Sequence, residues 1–330
     1  MRNMKKINTQ IIDAGGRFGL HPTWKDFTGE MRYYLFEPDK LEAERLMTKY
    51  AKRKDEIVID KRALSNQPKK ICLNMLENRA MSTAYKRPKE KEYFTENLSS
   101  QVNIVEKINV KATTIDKYCR ENDISVDFLK LDVEGGEYDI LNGAKEQLNN
   151  IIGIRSEVNF DQTFEDSVLF SQINDFLLDK NFFLLNLDYD GRGSRLNDFV
   201  DARGRYGILK DCDAVWMKGQ DEIFSLDNVD VDMLSINILK YSAFCFMNNA
   251  PDLGIEILLK AIKNEGVNFD NLNKTKLYEF LDIQIHRLFY NLKWSPGQNL
   301  SEHENIYKII FNKEMKVLHH FNESLKLNPR

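Results

Sequence analysis

The sequence is short of the features that define several large protein classes. Its four cysteines, Cys72, Cys119, Cys212 and Cys245, lie far apart and form no CxxC pair. None of the five histidines, His21, His286, His303, His319 and His320, stands at zinc-finger spacing from them. A disulfide scaffold and a zinc finger are thereby excluded, and reduced thiols in a cytoplasmic protein are expected. No apolar run approaches the ~18 residues of a membrane helix, so no membrane span is expected. The opening MRNMKKINTQ is basic but lacks the apolar stretch of a secretory leader, and no signal peptide is read there. Positive charge is not in surplus: 47 Lys and Arg face 51 Asp and Glu, a net charge of -4 that leaves no electrostatic footprint for nucleic acid. The basic run Lys86-Arg87-Pro88-Lys89 is answered by Glu90 and Glu92 and reads as a solvated loop.

What is present is an ordinary globular composition, 42% hydrophobic and 30% charged over 330 residues, enough for a large domain and a smaller one. Strand patterns are expected at Asn8 to Asp13, Arg32 to Phe36, Glu56 to Asp60, Lys70 to Leu76, Val102 to Val110, Ile151 to Val158, Asn181 to Leu187 and Cys212 to Met217. Helical patterns separate several of them, at Asp39 to Lys52, from Thr113 or Thr114 through Arg120, and at Phe164 to Lys180. Such alternation predicts a mostly parallel α/β sheet with right-handed crossovers, and the last two strands, joined by a loop, predict an antiparallel edge. That loop, Asp188 to Gly207, carries Arg192, Arg195, Arg203 and Arg205 and suits an anionic acceptor or a solvated role equally. Beyond Asp221 four helices are predicted, at Asn228 to Met247, Pro251 to Asn264, Thr275 to Leu292 and Glu302 to Leu325.

The centre of the pattern is Ile124 to Ala144, ISVDFLKLDVEGGEYDILNGA. An apolar run ends in Asp132 and Glu134, Gly135 and Gly136 break it, and a helix begins at Glu137 and runs to about Leu148. Ligands of parallel α/β sheets sit at such strand ends. The acidic turn reads either as a helix cap or as a site, because carboxylates favour helix N-termini and are costly to bury unpaired. At the first strand end Asp13, Gly15 and Gly19 make a D-x-G-x-x-x-G turn. The G-x-G-x-x-G of a nicotinamide enzyme is missing, since Asp13 stands where a glycine belongs, and this disfavours a dehydrogenase. Glu37 ends the second strand, where a carboxylate can accept from both ribose hydroxyls.

These residues together resemble the FkbM family of class I S-adenosylmethionine-dependent methyltransferases. The resemblance rests on Ile12 to Gly19, Phe36-Glu37-Pro38, Ala63-Leu64-Ser65, Asp127 to Glu137 with Leu141, Gly143 and Ala144, and Ser156-Glu157-Val158, and spans about residues 8 to 218. Gly15-Gly16-Arg17 departs from the family's usual Gly-Ala-Asn. The resemblance implies a Rossmann-like methyltransferase domain over 1–220; it says nothing of 221–330, where the residue pattern predicts an all-helical domain that caps the site, dimerises or binds a partner. The resemblance implies S-adenosylmethionine as cofactor, held by Asp13, Gly15, Gly16, Arg17, Gly19, Glu37, Ala63, Leu64 and Asp132. It further implies O-methylation of a small-molecule or glycan acceptor, such as a sugar hydroxyl of a surface polysaccharide precursor or secondary metabolite. A hydroxyl acceptor needs a base, for which Asp132, Glu134, Glu157 and His21 are the candidates. No metal is expected, the alternative being a divalent cation on Asp132 and Glu157. A non-catalytic cofactor-binding fold that presents the helices to a partner is the competing reading.

Overall fold

The computed structural model describes residues 8–27, 29–86, 101–188, 193–194, 208–225, 231–265, 267–292 and 300–315. Twelve strands are found among them: β1 (Thr9–Ala14), β2 (Met31–Phe36), β3 (Ile57–Asp60), β4 (Ala63–Leu64), β5 (Lys69–Leu76), β6 (Ile104–Thr113), β7 (Phe128–Leu131), β8 (Gly153–Asn159), β9 (Phe182–Asp188), β10 (Gly193–Ser194), β11 (Ile208–Leu209) and β12 (Asp211–Lys218). The helices are α1 (Lys40–Lys49), α2 (Ile115–Asn122), α3 (Glu137–Asn142), α4 (Phe170–Leu178), α5 (Gln220–Phe224), α6 (Val231–Met247), α7 (Pro251–Glu265), α8 (Lys276–Leu292) and α9 (Leu300–Phe311). No helix among the described residues is long and apolar enough to cross a membrane. None of the four cysteines is bridged.

Seven strands form the main sheet in the order β3-β2-β1-β7-β8-β12-β9, all parallel except β12, which is antiparallel to both of its neighbours. The central strands are buried on both faces, which is why they read as nearly continuous apolar runs. On one face Ile12, Leu129, Leu131 and Ile154 meet Tyr118 of α2, Ile140 of α3 and Ile173 of α4. On the other, Ile11, Tyr33 and Phe128 meet Trp24 and the C-terminal helices. Phe244 of α6 stacks on Phe128 at 4.8 Å between ring centroids and on Trp24 at 5.8 Å. Lys240 of α6 reaches both oxygens of the Asp127 carboxylate at 2.8 Å.

Three expectations are corrected. The helix after Gly136 stops at Asn142 rather than Leu148: Gly143 caps it, its N–H donating to the Asp139 and Ile140 carbonyls, and only glycine fits there, since a Cβ would lie 2.2 Å from the Ser65 carbonyl oxygen. The helix expected from Phe164 begins at Phe170, since the Gln162 amide donates to the carbonyls of Phe164 and Ser167 and holds those residues in a loop. The last helix ends at Phe311, where Asn312 turns left-handed at φ 50°; the expected remainder from 316 on lies outside the described residues. The expected antiparallel edge is present: β12 lies between β8 and β9, antiparallel to both, and β9 is the outermost strand. The arginines 192, 195, 203 and 205 lie outside the described residues.

The two strands between Lys69 and Thr113 do not join the main sheet. They form a separate three-stranded sheet, β4-β6-β5. Its hairpin stands over the carboxyl ends of the main strands and lines the cavity described next.

Candidate active site

A cavity of about 310 Å³ opens at the carboxyl ends of β1, β2 and β7. Gly15, Arg17, Glu37, Pro38, Ala63 and Leu64 line it, together with Asp132 and Glu134. Gly15 sits at φ +88°, and a Cβ there would lie 1.7 Å from the Asp132 carbonyl oxygen, so only glycine lets the β1 turn pass the end of β7. The space beside Gly16 is taken by the Leu35 side chain, and that beside Gly19 by the Tyr50 hydroxyl. The glycines thus serve chain packing first. Arg17, the departure from the family pattern, pairs with Asp39 at 3.1 Å, and Asp39 in turn caps α1. Its charge is answered within the protein.

Beside the cavity lies a buried charged chain. Asp13 is 1% exposed and accepts from the Tyr33 hydroxyl. The Lys130 ammonium lies 3.3 Å from Asp13 Oδ1 and 3.3 Å from Asp132 Oδ2. Burial alone would lower the Lys130 pKa, but the two carboxylates outweigh it and hold the ammonium above its ordinary value. Burial pushes Asp13 upward, against the Lys130 charge and the Tyr33 hydroxyl that favour its anion.

The acidic turn divides its labour. Glu137, not Glu134, closes it: its carboxylate accepts the Val133 N–H at 2.8 Å and the Gly135 N–H at 3.0 Å. Burial raises the Glu137 pKa to about 7, although those N–H donors oppose the rise. Glu134 is left-handed at φ +60°, uncommon for a residue with a side chain, and its carbonyl accepts from the Thr83 hydroxyl at 2.6 Å. Asp132, Glu134 and Glu157 each bring a carboxylate oxygen within 4.8 Å of the others. Burial first, then the Glu134 and Asp132 charges, push the Glu157 pKa well above the carboxylate range. Such a trio can share a proton or hold a divalent cation.

His21 follows β1 and opens a 3₁₀ turn over Pro22–Phe27, its Nδ1 accepting the Thr23 N–H at 3.3 Å. Burial, then Lys130 and Arg155, lower its pKa to about 4. With Nδ1 engaged as an acceptor, the neutral ring carries its proton on Nε2 and is a donor.

Of the expected site residues, Gly15, Arg17, Glu37, Ala63, Leu64, Asp132 and Glu134 line the cavity. Asp13, Gly16, Gly19, His21 and Glu157 do not, although Glu157 is within reach of the two lining carboxylates. Among the described residues none of the lining comes from the C-terminal helices, which were expected to cap the site, dimerise or bind a partner; they pack on a face of the sheet, and β5 contributes to the lining. Tyr33, Thr83 and the hairpin wall went unread, and Lys130 stood only as a member of the block that carries the resemblance. The alternation of Lys69, Ile71, Leu73 and Met75 was the one local signal for that wall.

The donor set fits S-adenosylmethionine. Glu37 offers an acceptor at the end of β2, apolar Pro38, Ala63 and Leu64 suit a flat base, and Asp132 supplies negative charge for a sulfonium. The methyltransferase FkbM domain model matches residues 13–184, just over half of the chain. No curated protein matches it. Similar solved structures include M. capricolum TrmK in complex with S-adenosylhomocysteine, at 11% identity, 92% coverage of each chain and a TM-score of 0.32. Another is a precorrin-6y C5,15-methyltransferase from Geobacter metallireducens GS-15, at 8% identity, covering 66% of this chain and 84% of that one, with a TM-score of 0.30. The chain belongs to the FkbM methyltransferase family and is an S-adenosylmethionine-dependent methyltransferase.

Proposed function

We propose that the enzyme O-methylates a hydroxyl of a sugar or glycan precursor in the cytoplasm, and that its site residues are those gathered around the cavity. The observation that carries this reading is the carboxylate trio of Asp132, Glu134 and Glu157, beside a cavity whose other residues suit the cofactor. A hydroxyl is a poor nucleophile and needs a proton acceptor, whereas an already basic nitrogen would not.

S-adenosylmethionine, when bound, supplies an electrophilic methyl group. In this reading Glu37 accepts from the ribose hydroxyls, and Pro38, Ala63 and Leu64 flank the base. Lys130 fixes the Asp132 carboxylate from below, at 3.3 Å. Asp132, which lines the cavity with a 41% exposed side chain, takes the proton of the acceptor hydroxyl on a carboxylate oxygen. Glu157, whose pKa is raised by burial and by the Glu134 and Asp132 charges, can share a proton with the trio and so spare the site a third full charge. His21 serves as a neutral donor rather than a base. Holding the acceptor oxygen in line with the methyl group supplies much of the rate.

The test is a panel of free sugars, glycosides and sugar nucleotides incubated with methyl-labelled cofactor. Label recovered as an alkali-stable ether on a sugar supports the reading. Label on nitrogen or carbon sinks it. Chelation separates the two roles of the trio: proton sharing expects full activity in EDTA, whereas a bound cation expects loss and rescue by Mg²⁺.

A further inference from the structure

We propose that the cavity-facing side of β5 is the seat of the acceptor, and that the acceptor carries an apolar aryl or alkyl group beside the hydroxyl it presents. This rests on the reading above, of which it specifies the substrate class: a sugar bearing an apolar aglycone rather than a bare or nucleotide-linked one.

The small sheet is amphipathic in the two-residue period of a strand. Lys70 and Cys72 of β5, and Lys107, Asn109 and Lys111 of β6, point outward and are exposed. Ile71, Leu73 and Met75 point the other way and line the cavity. Val110 and Ile108 stand opposite Ile71 and Leu73 across the hairpin. Ile71, Leu73, Ile108 and Val110 are only half-buried, and among the described residues none of them belongs to either apolar core. An apolar sheet face that packs on no core and looks into a cavity is surface held ready for something else. The occupant is the methyl acceptor, because the same cavity is also lined by Asp132 and Glu134 and by the residues that suit the cofactor.

The charges at the wall argue for an apolar occupant over an anionic one. Lys69 is paired with Asp139 at 3.4 Å, and Arg79 with Glu106 at 3.3 Å. Both are answered within the protein, so the wall offers a phosphate no spare cation among the described residues. Tyr85 adds a half-buried ring to the lining, backed by Phe164 at 6.4 Å.

The wall is also fixed relative to the chemistry. Thr83 and Asn74 exchange backbone hydrogen bonds of 2.8 and 3.2 Å, which ties the loop after β5 back to that strand. The Thr83 hydroxyl then donates to the Glu134 carbonyl. Asn66 donates to Asp139 of α3 at 3.0 Å. A surface so tethered needs little reordering to bind.

The experiment is calorimetry on the full chain loaded with S-adenosylhomocysteine, titrated with matched methyl and phenyl glycosides of several hexoses, and with phenol alone. The expected result is phenyl binding about tenfold tighter than methyl, the effect of covering about 60 Å² of apolar surface. Leu73→Asn should remove that gain, and its S-adenosylhomocysteine affinity reports whether it has folded. Ile71→Ser is the second variant should Leu73→Asn fail that check. Equal affinity for methyl and phenyl glycosides overturns the inference and leaves the sugar reading standing. Binding of phenol but of no glycoside, abolished by Leu73→Asn, supports the apolar wall and removes the sugar. Binding of none of the probes overturns the inference.

Discussion

Glu37 is the residue whose charge state should be easiest to follow. Burial raises its pKa to about 7, against the Asp39 N–H that its Oε1 accepts and the Arg17 charge nearby. Protonated, it has lost the doubly accepting carboxylate that a ribose diol needs; ionised, it offers it. Cofactor binding selects the anion and therefore releases a proton below the pKa. Affinity for S-adenosylmethionine is expected to rise with pH, by up to about tenfold per unit below pH 7, and to level off above it. Calorimetry in buffers from about pH 5.5 to about pH 8.5 would display this. Glu37→Gln should flatten the profile and weaken binding at the alkaline end by about 1 to 3 kcal/mol. A wild-type profile that stays flat removes Glu37 from the ribose role. Gly15 makes a different kind of prediction. An added methyl would occupy the space of the Asp132 carbonyl at a left-handed backbone position, so Gly15→Ala should cost about 3 kcal/mol or more in urea unfolding.

At the scale of elements, the joint between the hairpin and the acidic turn is one side chain. The Thr83 hydroxyl donates to the Glu134 carbonyl and accepts the Tyr85 N–H at 3.0 Å, in a buried setting. Thr83→Val keeps the shape and leaves both partners unsatisfied, and should cost about 1 to 3 kcal/mol by denaturant unfolding. Thr83→Ser should recover most of it. Methyl transfer should fall in Thr83→Val beyond what lost stability explains, because Glu134 is no longer held in its left-handed turn. The elements differ in how far the sequence announces them. The β1, β2 and β7 strands were legible because each carries a short apolar run buried on both faces, and α2 because Thr114 caps it, accepting the Lys117 N–H at 3.0 Å. Glu37 and Asp132 were legible because strand ends are where α/β sheets bind. The length of α3 was not, since the glycine that caps it, Gly143, packs against the carbonyl of Ser65, far away in sequence. Lys130 stood in the sequence two residues from Asp132, but its other partner, Asp13 on β1, becomes a neighbour only when β1 and β7 pair. The hairpin wall was hidden for a similar reason: strand periodicity gives two faces, and only the fold says which one meets a cavity.

For the whole molecule the question is what the C-terminal helices do for the sheet. Their apolar side chains complete the core that covers Ile11, Tyr33 and Phe128, and without them that face would be bare. The ion pair between Lys240 and Asp127 joins the two parts, with side chains only 7% and 15% exposed. Asp127 also accepts the Gln10 N–H at 2.7 Å, at the start of the β1–β7 pairing. Removing one member of a buried pair strands the other's charge, so Lys240→Met should cost about 3 to 5 kcal/mol. The double variant Asp127→Asn with Lys240→Met should recover much of that loss, because no charge is then left unpaired. Should the helices be a separable module, the single variant would shift only their own melting and leave cofactor binding intact. The shared core argues for the opposite outcome, a single cooperative transition in which cofactor binding and helix content are lost together. Truncation after residue 225 sharpens the contrast. It uncovers Phe128 and Trp24 and strands Asp127 at once, and is expected to give an aggregating chain that binds no S-adenosylmethionine. A soluble, cofactor-binding fragment would instead assign the helices a role outside the fold, as a partner or dimer surface, which sedimentation of the full chain would then have to show.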